Sequence, residues 1–252
     1  MRIEKDIFYT EEKHASKMLD IYLPECDNFS VFVYFHGGGL EGGDKRSASV
    51  FAEYLCNRGI GVVSANYRML PKYNYPDFIE DAASAVAWVH ENINKYGKCE
   101  KIFVGGSSAG GYLSMMLCFE PKYLAIHGID CTKIGGYVHD AGQPTCHYNV
   151  LKHNGIDPRR VIIDESAPLY HIGILPSYAP MLFIYSDSDM ENPPEQTQLT
   201  VSTLKHFRYD QSKIDVICAH GTHCAYCKAI DENGDAVFGK MIYPAIEKWL
   251  SL

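Results

Sequence analysis

The most constraining feature of this sequence is a glycine-flanked serine between a predicted strand and a predicted helix. Residues 101–104 form an apolar, strand-like run, and residues 111–119 carry the apolar period of a helix. Between them, Gly106 and Gly110 flank Ser108. In Gly-x-Ser-x-Gly the serine occupies a strained strand-to-helix turn, because side chains in place of the glycines would clash with the elements that cross there. The pattern predicts an α/β layer with Ser108 on a sharp turn.

Strands and helices alternate along most of the chain. Two short β-prone runs, residues 7–10 and 18–23, predict an antiparallel lead-in. The later alternation indicates a mostly parallel sheet with helices on both faces. Since the 252 residues show no composition shift and no internal repeat, we expect a single domain over residues 1–252. The further predicted strands are residues 31–35, 60–65, 181–185 and 214–218, and the further predicted helices are residues 48–57, 77–96, 195–207 and 237–250.

Residues 139–178 interrupt this alternation. The segment follows the run at residues 135–138 and is rich in His, Tyr, Asn and Pro, without a strand or helix period. An irregular insertion of this length in a compact domain is typical of a lid or binding loop. We expect it to form a semi-polar wall of a substrate site, with Tyr148, Tyr170 and Tyr178 contributing.

Charge and composition argue against several classes of function. The net charge of -8, with no Lys/Arg cluster, lacks the basic surface that nucleic acid binding needs. No stretch approaches the ~18 apolar residues of a membrane span, and the start has no apolar leader, so we expect a cytoplasmic protein without membrane partners. Nine cysteines form no regular framework, which favours reduced thiols. A homo-oligomer stays open.

Ser108 is the candidate nucleophile. Acyl transfer requires a serine lifted out of the fold, a neighbouring base and donors for the developing oxyanion. Ser107 competes, but centring the motif on it would require glycines at positions 105 and 109, and residue 109 is alanine. The alternative is an ordinary glycine–serine loop, and the strand and helix on either side favour the catalytic interpretation.

A second glycine run follows the strand at residues 31–35. The residues from His36 to Gly39 read His-Gly-Gly-Gly, which can turn backbone N–H groups toward an anion or form a flexible turn. With both motifs, the chain resembles the hormone-sensitive-lipase-like branch of the α/β-hydrolases and its small bacterial carboxylesterases. The resemblance extends from His36 to Trp249 and includes Asn66-Tyr67-Arg68, Tyr75-Pro76, Asp81, Trp88 and Ser166-Ala167-Pro168.

The resemblance implies the α/β-hydrolase fold and ester cleavage through a serine triad. It also implies that the backbone N–H groups of Gly38, Gly39 and Ala109 are the oxyanion donors. No metal or other cofactor is expected, because a nucleophile, a base and an oxyanion hole suffice for acyl transfer. The sequence departs from the family at Leu40, where many members have an aromatic residue, and at Ser107, where an acidic residue is common; both bear on the size of the acyl pocket.

The acid and base are expected after the nucleophile, in the order Ser, Asp or Glu, His. Similarity to the family's strand followed by Gly-x-x-Asp selects Asp189 as the acid, with Ser186 in place of the glycine and Asp187 as the alternative. Similarity in the loop after the last strand favours His223 over His220 as the base. Among the histidines that precede the acid, four are expected to line the insertion or lie on the surface: His139, His147, His153 and His171.

Two other classes of protein remain as alternatives. Cys224 and Cys227 have the spacing of a zinc knuckle and could form a metal site with His220 and His223. Such a site would occupy the histidine that the triad requires. A non-catalytic binding protein of the same fold is the other alternative. We therefore expect a serine carboxylesterase for small-molecule short-chain esters, acetyl esters above all, with acetylated carbohydrate as a candidate substrate and arylformamidase- or peptidase-like activity as the alternative.

Overall fold

One eight-stranded sheet runs through residues 1–190 and 193–252, which the computed structural model describes. Its strands are β1 (Arg2–Phe8), β2 (Met18–Leu23), β3 (Asn28–Phe35), β4 (Ile60–Ala65), β5 (Lys98–Ser107), β6 (Tyr137–Asp140), β7 (Met181–Ser186) and β8 (Ile214–Ala219). Their order across the sheet is β1-β2-β4-β3-β5-β6-β7-β8. The pairs β1–β2 and β2–β4 are antiparallel, and all pairs from β4 to β8 are parallel. The mostly parallel sheet with an antiparallel lead-in confirms the prediction.

Helices cover both faces of the sheet. They are α1 (Ser49–Cys56), α2 (Asp77–Asn92), α3 (Ala109–Phe119), α4 (Lys122–Ala125), α5 (Tyr148–His153), α6 (Pro193–His206) and α7 (Val237–Leu250). In β3, Val31 and Val33 pack in the cluster that contains residues of α2 and α3, whereas Phe32 and Tyr34 pack in the cluster that contains residues of α1 and α7. Because successive strand side chains point to opposite faces, β3 is buried on both.

None of the helices in the described part of the chain combines the length and the apolar character that crossing a bilayer requires.

The predicted boundaries differ from the structure mainly at two strands. β1 begins at Arg2 rather than at residue 7, and its first five residues are exposed, so this edge strand has no apolar pattern to reveal it. β5 continues through Gly105 and Gly106, whereas the sequence pattern predicts both glycines in the turn. A side chain at Gly105 would lie 2.7 Å from the Phe32 ring, so close packing between strands explains that glycine.

The insertion is less irregular than predicted, and three of its histidines, His139, His147 and His171, are buried. Its first two residues belong to β6, and it also contains α5. His139, expected in the insertion or at the surface, is 1% exposed within β6 and lies 2.9 Å from the Ser114 hydroxyl through Nδ1. His171 is also buried, with Nε2 2.9 Å from the Glu165 carbonyl. Each ring takes a hydrogen-bond partner inside the fold, which permits its burial.

Candidate active site

Ser108 lies on the turn between β5 and α3 with φ 56° and ψ -117°, a strained conformation for a residue with a side chain. The flanking glycines permit this turn. A Cβ at Gly106 would lie 2.5 Å from the Gly110 carbonyl, and a Cβ at Gly110 would lie 1.9 Å from the Phe35 carbonyl oxygen at the end of β3. Both glycines are therefore required by backbone contacts, as the Gly-x-Ser-x-Gly pattern predicts.

His223 and Asp189 form a line of hydrogen bonds with Ser108. The His223 Nε2 lies 2.9 Å from the Ser108 hydroxyl oxygen, and its Nδ1 lies 2.7 Å from Asp189 Oδ1. Asp189 follows β7 and its side chain is fully buried, whereas His223 follows β8 and is 23% exposed. An imidazole that donates from Nδ1 to a carboxylate leaves Nε2 free to accept the serine proton.

The competing acid and histidine contact each other at the surface. The Nδ1 of His220 lies 2.7 Å from Asp187 Oδ2, and the two side chains are 95% and 40% exposed. A hydrogen bond from the Gly221 backbone N–H, followed by the contact with His220, lowers the pKa of Asp187 to about 2. Their mutual contact leaves Asp187 and His220 out of the arrangement around Ser108.

The glycine loop after β3 packs against the serine turn. A Cβ at Gly37 would lie 3.1 Å from the Ser108 Cβ, so the two segments approach as closely as backbone allows. Gly38 and Gly39 have φ values of 124° and 65°, which favour glycine. Ala109 is the first residue of α3, where backbone N–H groups have no partner within the helix. The three residues predicted as oxyanion donors thus belong to two segments in contact at Ser108.

Side chains around the glycine loop stabilise its conformation. The Tyr67 hydroxyl donates to the His36 carbonyl at 2.7 Å, and the two rings stack with centroids 4.5 Å apart. The neighbouring Arg68 makes a two-point contact of 2.8 Å each with the carboxylate of buried Asp81. The Asn149 side-chain amide donates to the Gly39 carbonyl at 2.7 Å. Tyr67 and Asn149 thus contact the loop directly, whereas Arg68 and Asp81 contact each other beside it.

Two clefts meet at Ser108. The first has a volume of about 450 Å³, and the second, about 690 Å³, contains the glycine loop. Ser108, Tyr148, Met190 and His223 border both. The first cleft is further lined by Ala141, Gln143, His147, Pro158, Arg159, Arg160, Val161 and Gln196. A substrate with two parts could therefore place one part in each cleft.

The insertion borders the first cleft with residues that the sequence analysis did not single out, among them Gln143, Arg159 and Arg160. Of the three predicted tyrosines, Tyr148 lines both clefts. Tyr178 is instead buried, with its ring centroid 4.5 Å from that of Tyr209, which corrects its predicted place in the wall. The cleft residues of the insertion were not predicted, because they occur in a segment without the apolar period of a strand or a helix.

Three other predicted positions are also clarified. Tyr170 is 57% exposed and is absent from the linings of both clefts in the described chain, so its predicted place in the wall is wrong. Leu40 is fully buried in the apolar core rather than forming an acyl pocket. His147 does line the first cleft, as one of the two places expected for it, and burial lowers its pKa to about 3, so its ring is neutral at pH 7.

The hypothetical metal site of two histidines and two cysteines does not assemble. His223 contacts Ser108 and Asp189, and His220 contacts Asp187. The two cysteines, Cys224 and Cys227, lie instead against the buried carboxylate of Asp140. The cysteines of the described chain are free thiols.

Comparison with known proteins finds similarities to a family model, a curated protein and two solved structures. A family model described as alpha/beta hydrolase fold matches residues 32–128. Probable carboxylesterase 7 of Arabidopsis thaliana is 33% identical over 135 residues, which cover 48% of this chain and 43% of that protein. The chain thus aligns with less than half the length of that relative.

Two solved structures are similar over nearly the whole chain. Esterase B of Lactobacillus rhamnosis superimposes with a TM-score of 0.81 at 14% identity and covers 99% of this chain and 86% of its own. A truncated carbohydrate esterase from gut microbiota superimposes with a TM-score of 0.77 at 19% identity and covers 99% of this chain and 97% of its own. At such identities the likeness shows the fold.

Proposed function

We propose that this chain, which has the α/β-hydrolase fold, is a serine carboxylesterase that hydrolyses short-chain esters, acetyl esters above all. The observation that carries the proposal is the contact of Ser108 with His223 at 2.9 Å and of His223 with buried Asp189 at 2.7 Å. The similarity to a probable carboxylesterase supports an ester as the substrate.

In the proposed mechanism, Ser108 attacks the ester carbonyl while His223 Nε2 takes its proton. Asp189 holds the ring with Nδ1 protonated and stabilises the imidazolium. The backbone N–H groups of Gly38, Gly39 and Ala109 stabilise the oxyanion. The alcohol leaves with the proton held on His223, and an acyl group remains on Ser108. Water, deprotonated by the same histidine, then releases the acid and restores the serine.

The lining of the first cleft favours a small or polar substrate. Gln143 and Gln196 are held in place by hydrogen bonds with the Thr145 hydroxyl at 3.0 and 3.1 Å. Arg159 and Arg160 border the same space. A long alkyl chain would shield these polar groups from water without replacing their hydrogen bonds, which costs free energy. A sugar hydroxyl can form hydrogen bonds with these groups, and an acetyl group is too small to shield them from water, so neither has this cost. The likeness to a carbohydrate esterase supports acetylated carbohydrate as the substrate class.

Turnover of p-nitrophenyl acetate tests the nucleophile. We expect Ser108→Ala to lower kcat by about 10⁴-fold or more, because the acyl-enzyme route is lost. Ser202→Ala, at an exposed serine of α6, is the matched control and should keep the activity. Equal, very slow rates for the wild type and Ser108→Ala would mean that the chain is not a serine esterase.

Acyl preference is tested separately. We expect kcat/KM to fall from p-nitrophenyl acetate to the palmitate ester, and acetate release from an acetylated xylo-oligosaccharide to depend on Ser108. A preference for palmitate would contradict the short-chain assignment. Faster hydrolysis of an aryl formamide or a peptide substrate than of any ester would contradict the ester assignment.

A further inference from the structure

Three potential metal ligands lie together behind the serine turn. The Sγ of Cys227 lies 3.3 Å, and that of Cys224 3.9 Å, from Oδ2 of Asp140. The three ligand atoms lie within 4.8 Å of one another. Around a tetrahedral zinc ion, with bonds of about 2.0–2.3 Å, neighbouring ligand atoms are separated by roughly 3.3–3.8 Å. Small side-chain shifts would therefore bring all three atoms into coordination distance.

We propose that Asp140, Cys224 and Cys227 form a site for a thiophilic divalent cation such as Zn²⁺. Two cysteines separated by two residues are a common ligand pair for zinc, and one carboxylate oxygen completes three ligands. On binding, each thiol loses its proton to solvent as its zinc–sulfur bond forms. The second cleft is lined by both cysteines, so it can supply a water molecule as the fourth ligand.

The surroundings orient these ligands as the outer shell of a metal site does. The other carboxylate oxygen of Asp140, Oδ1, accepts a hydrogen bond from the Tyr226 hydroxyl. The Ser107 hydroxyl lies 3.4 Å from the Cys227 sulfur and accepts a hydrogen bond of 3.2 Å from Tyr34. These contacts hold Asp140 and Cys227 in place, with Oδ2 and both sulfurs within 4.8 Å of one another.

A cation at this point would also compensate the negative charge of the Asp140 carboxylate. Asp140 is fully buried, yet within the described residues no lysine, arginine or histidine forms a salt bridge with it. A buried carboxylate is costly unless it is hydrogen-bonded, paired or bound to a metal, and here its hydrogen-bond donors include the Tyr226 hydroxyl and the Cys227 thiol. The hydrolytic mechanism leaves this cluster unused, because His223 remains with Ser108 and Asp189.

The site adjoins the hydrolytic residues. Cys224 follows His223 directly in the chain, and the Asp140 carbonyl accepts the Ser108 backbone N–H at 2.7 Å. Both cysteines also line the second cleft. Metal content measures binding without reference to activity, so it tests the site separately from the proposed esterase function.

The test uses the full chain, reduced with a phosphine, stripped of metal and titrated with Zn²⁺ and with Co²⁺. We expect one equivalent of each ion to bind, and Co²⁺ to produce thiolate-to-metal charge-transfer absorption. Cys224→Ser and Cys227→Ser should each weaken binding by about 100-fold or more, since a zinc ligand is lost. Cys218→Ser, at an exposed cysteine of β8, should bind as the wild type does.

Asp140→Asn distinguishes a carboxylate ligand from a site made by the thiols alone. It should weaken Zn²⁺ binding by about 10–100-fold and keep the charge-transfer absorption. No bound equivalent in the reduced wild type, or unchanged binding in Cys224→Ser, would overturn the site. Zinc bound as tightly by Asp140→Asn would overturn the role of the carboxylate, and a Cys224–Cys227 disulfide that persists under reduction would overturn metal binding.

Discussion

At the scale of single residues, two acid–histidine pairs with equal contact distances occur within one short stretch of the structure. His223–Asp189 and His220–Asp187 both have N···O distances of 2.7 Å. They differ in burial and in what the histidine reaches, since the His223 ring continues to Ser108 at 2.9 Å and His220 is 95% exposed. Sequence similarity could order these candidates, but burial is set by the packing of loops distant in sequence.

The two aspartates provide a matched pair of variants. Asp189→Asn should lower kcat for p-nitrophenyl acetate by about 10³–10⁴-fold, because an amide no longer holds the Nδ1-protonated ring or stabilises its charge. Asp187→Asn should leave kcat within about twofold, since its partner His220 lies at the surface. A larger loss in Asp187→Asn than in Asp189→Asn would reverse the assignment of the acid.

At the scale of secondary structure, the turn between β5 and α3 carries the site, and the sequence predicted it well. Glycine spacing and apolar runs are local signals, so they predicted the strand, the turn and the helix. The contacts of the insertion with the site are long-range, and local signals did not predict them. The Asn149 amide reaches the Gly39 carbonyl across 110 positions of the chain. No periodic pattern encodes such a contact, and Gln143, Arg159 and Arg160 were missed for the same reason.

Close packing at the turn predicts a large effect of a single methyl group. Gly110→Ala should lower the free energy of unfolding by about 3 kcal/mol or more, because its Cβ would lie 1.9 Å from the Phe35 carbonyl oxygen. Gly42→Ala, where nothing lies within 4 Å of the added Cβ, should change it by less than about 0.5 kcal/mol. Urea unfolding of both variants measures the difference, and equal stabilities would contradict the packing of the turn.

At the scale of the whole molecule, burial lowers the pKa of three histidine rings, those of His36, His139 and His147. Burial lowers the pKa of His139 and of His147 to about 3. In the unfolded chain a histidine titrates near pH 6.5, at roughly its ordinary pKa. Between these two values the unfolded state therefore binds protons that the folded state does not. This burial depends on tertiary packing and was not predicted, because residues 139 and 147 were expected in the insertion or at the surface.

The sign of this difference predicts acid destabilisation. As the pH falls from about 6.5 toward 3, the free energy of unfolding should fall by up to about 1.4 kcal/mol per pH unit for each of His139 and His147. His147→Asn should reduce that slope by about one proton, since asparagine keeps the hydrogen-bond acceptor that caps α5. Urea unfolding between about pH 6 and 4.5 measures the slope.

His153→Asn, at an exposed histidine of the same helix, is the matched control. An equal change of slope in both variants, or a wild-type stability that does not fall with acid, would contradict the burial of a neutral His147 ring.

The most direct measurement of the central proposal is the site of covalent attachment of a fluorophosphonate, which reacts with activated serine hydroxyls. Peptide mass spectrometry of the labelled wild type should place one phosphonyl group on Ser108, and His223→Ala should react far more slowly because its Ser108 lacks the base at 2.9 Å. Attachment at another serine, or an unlabelled protein that still hydrolyses p-nitrophenyl acetate, would contradict the assignment of Ser108 as the nucleophile.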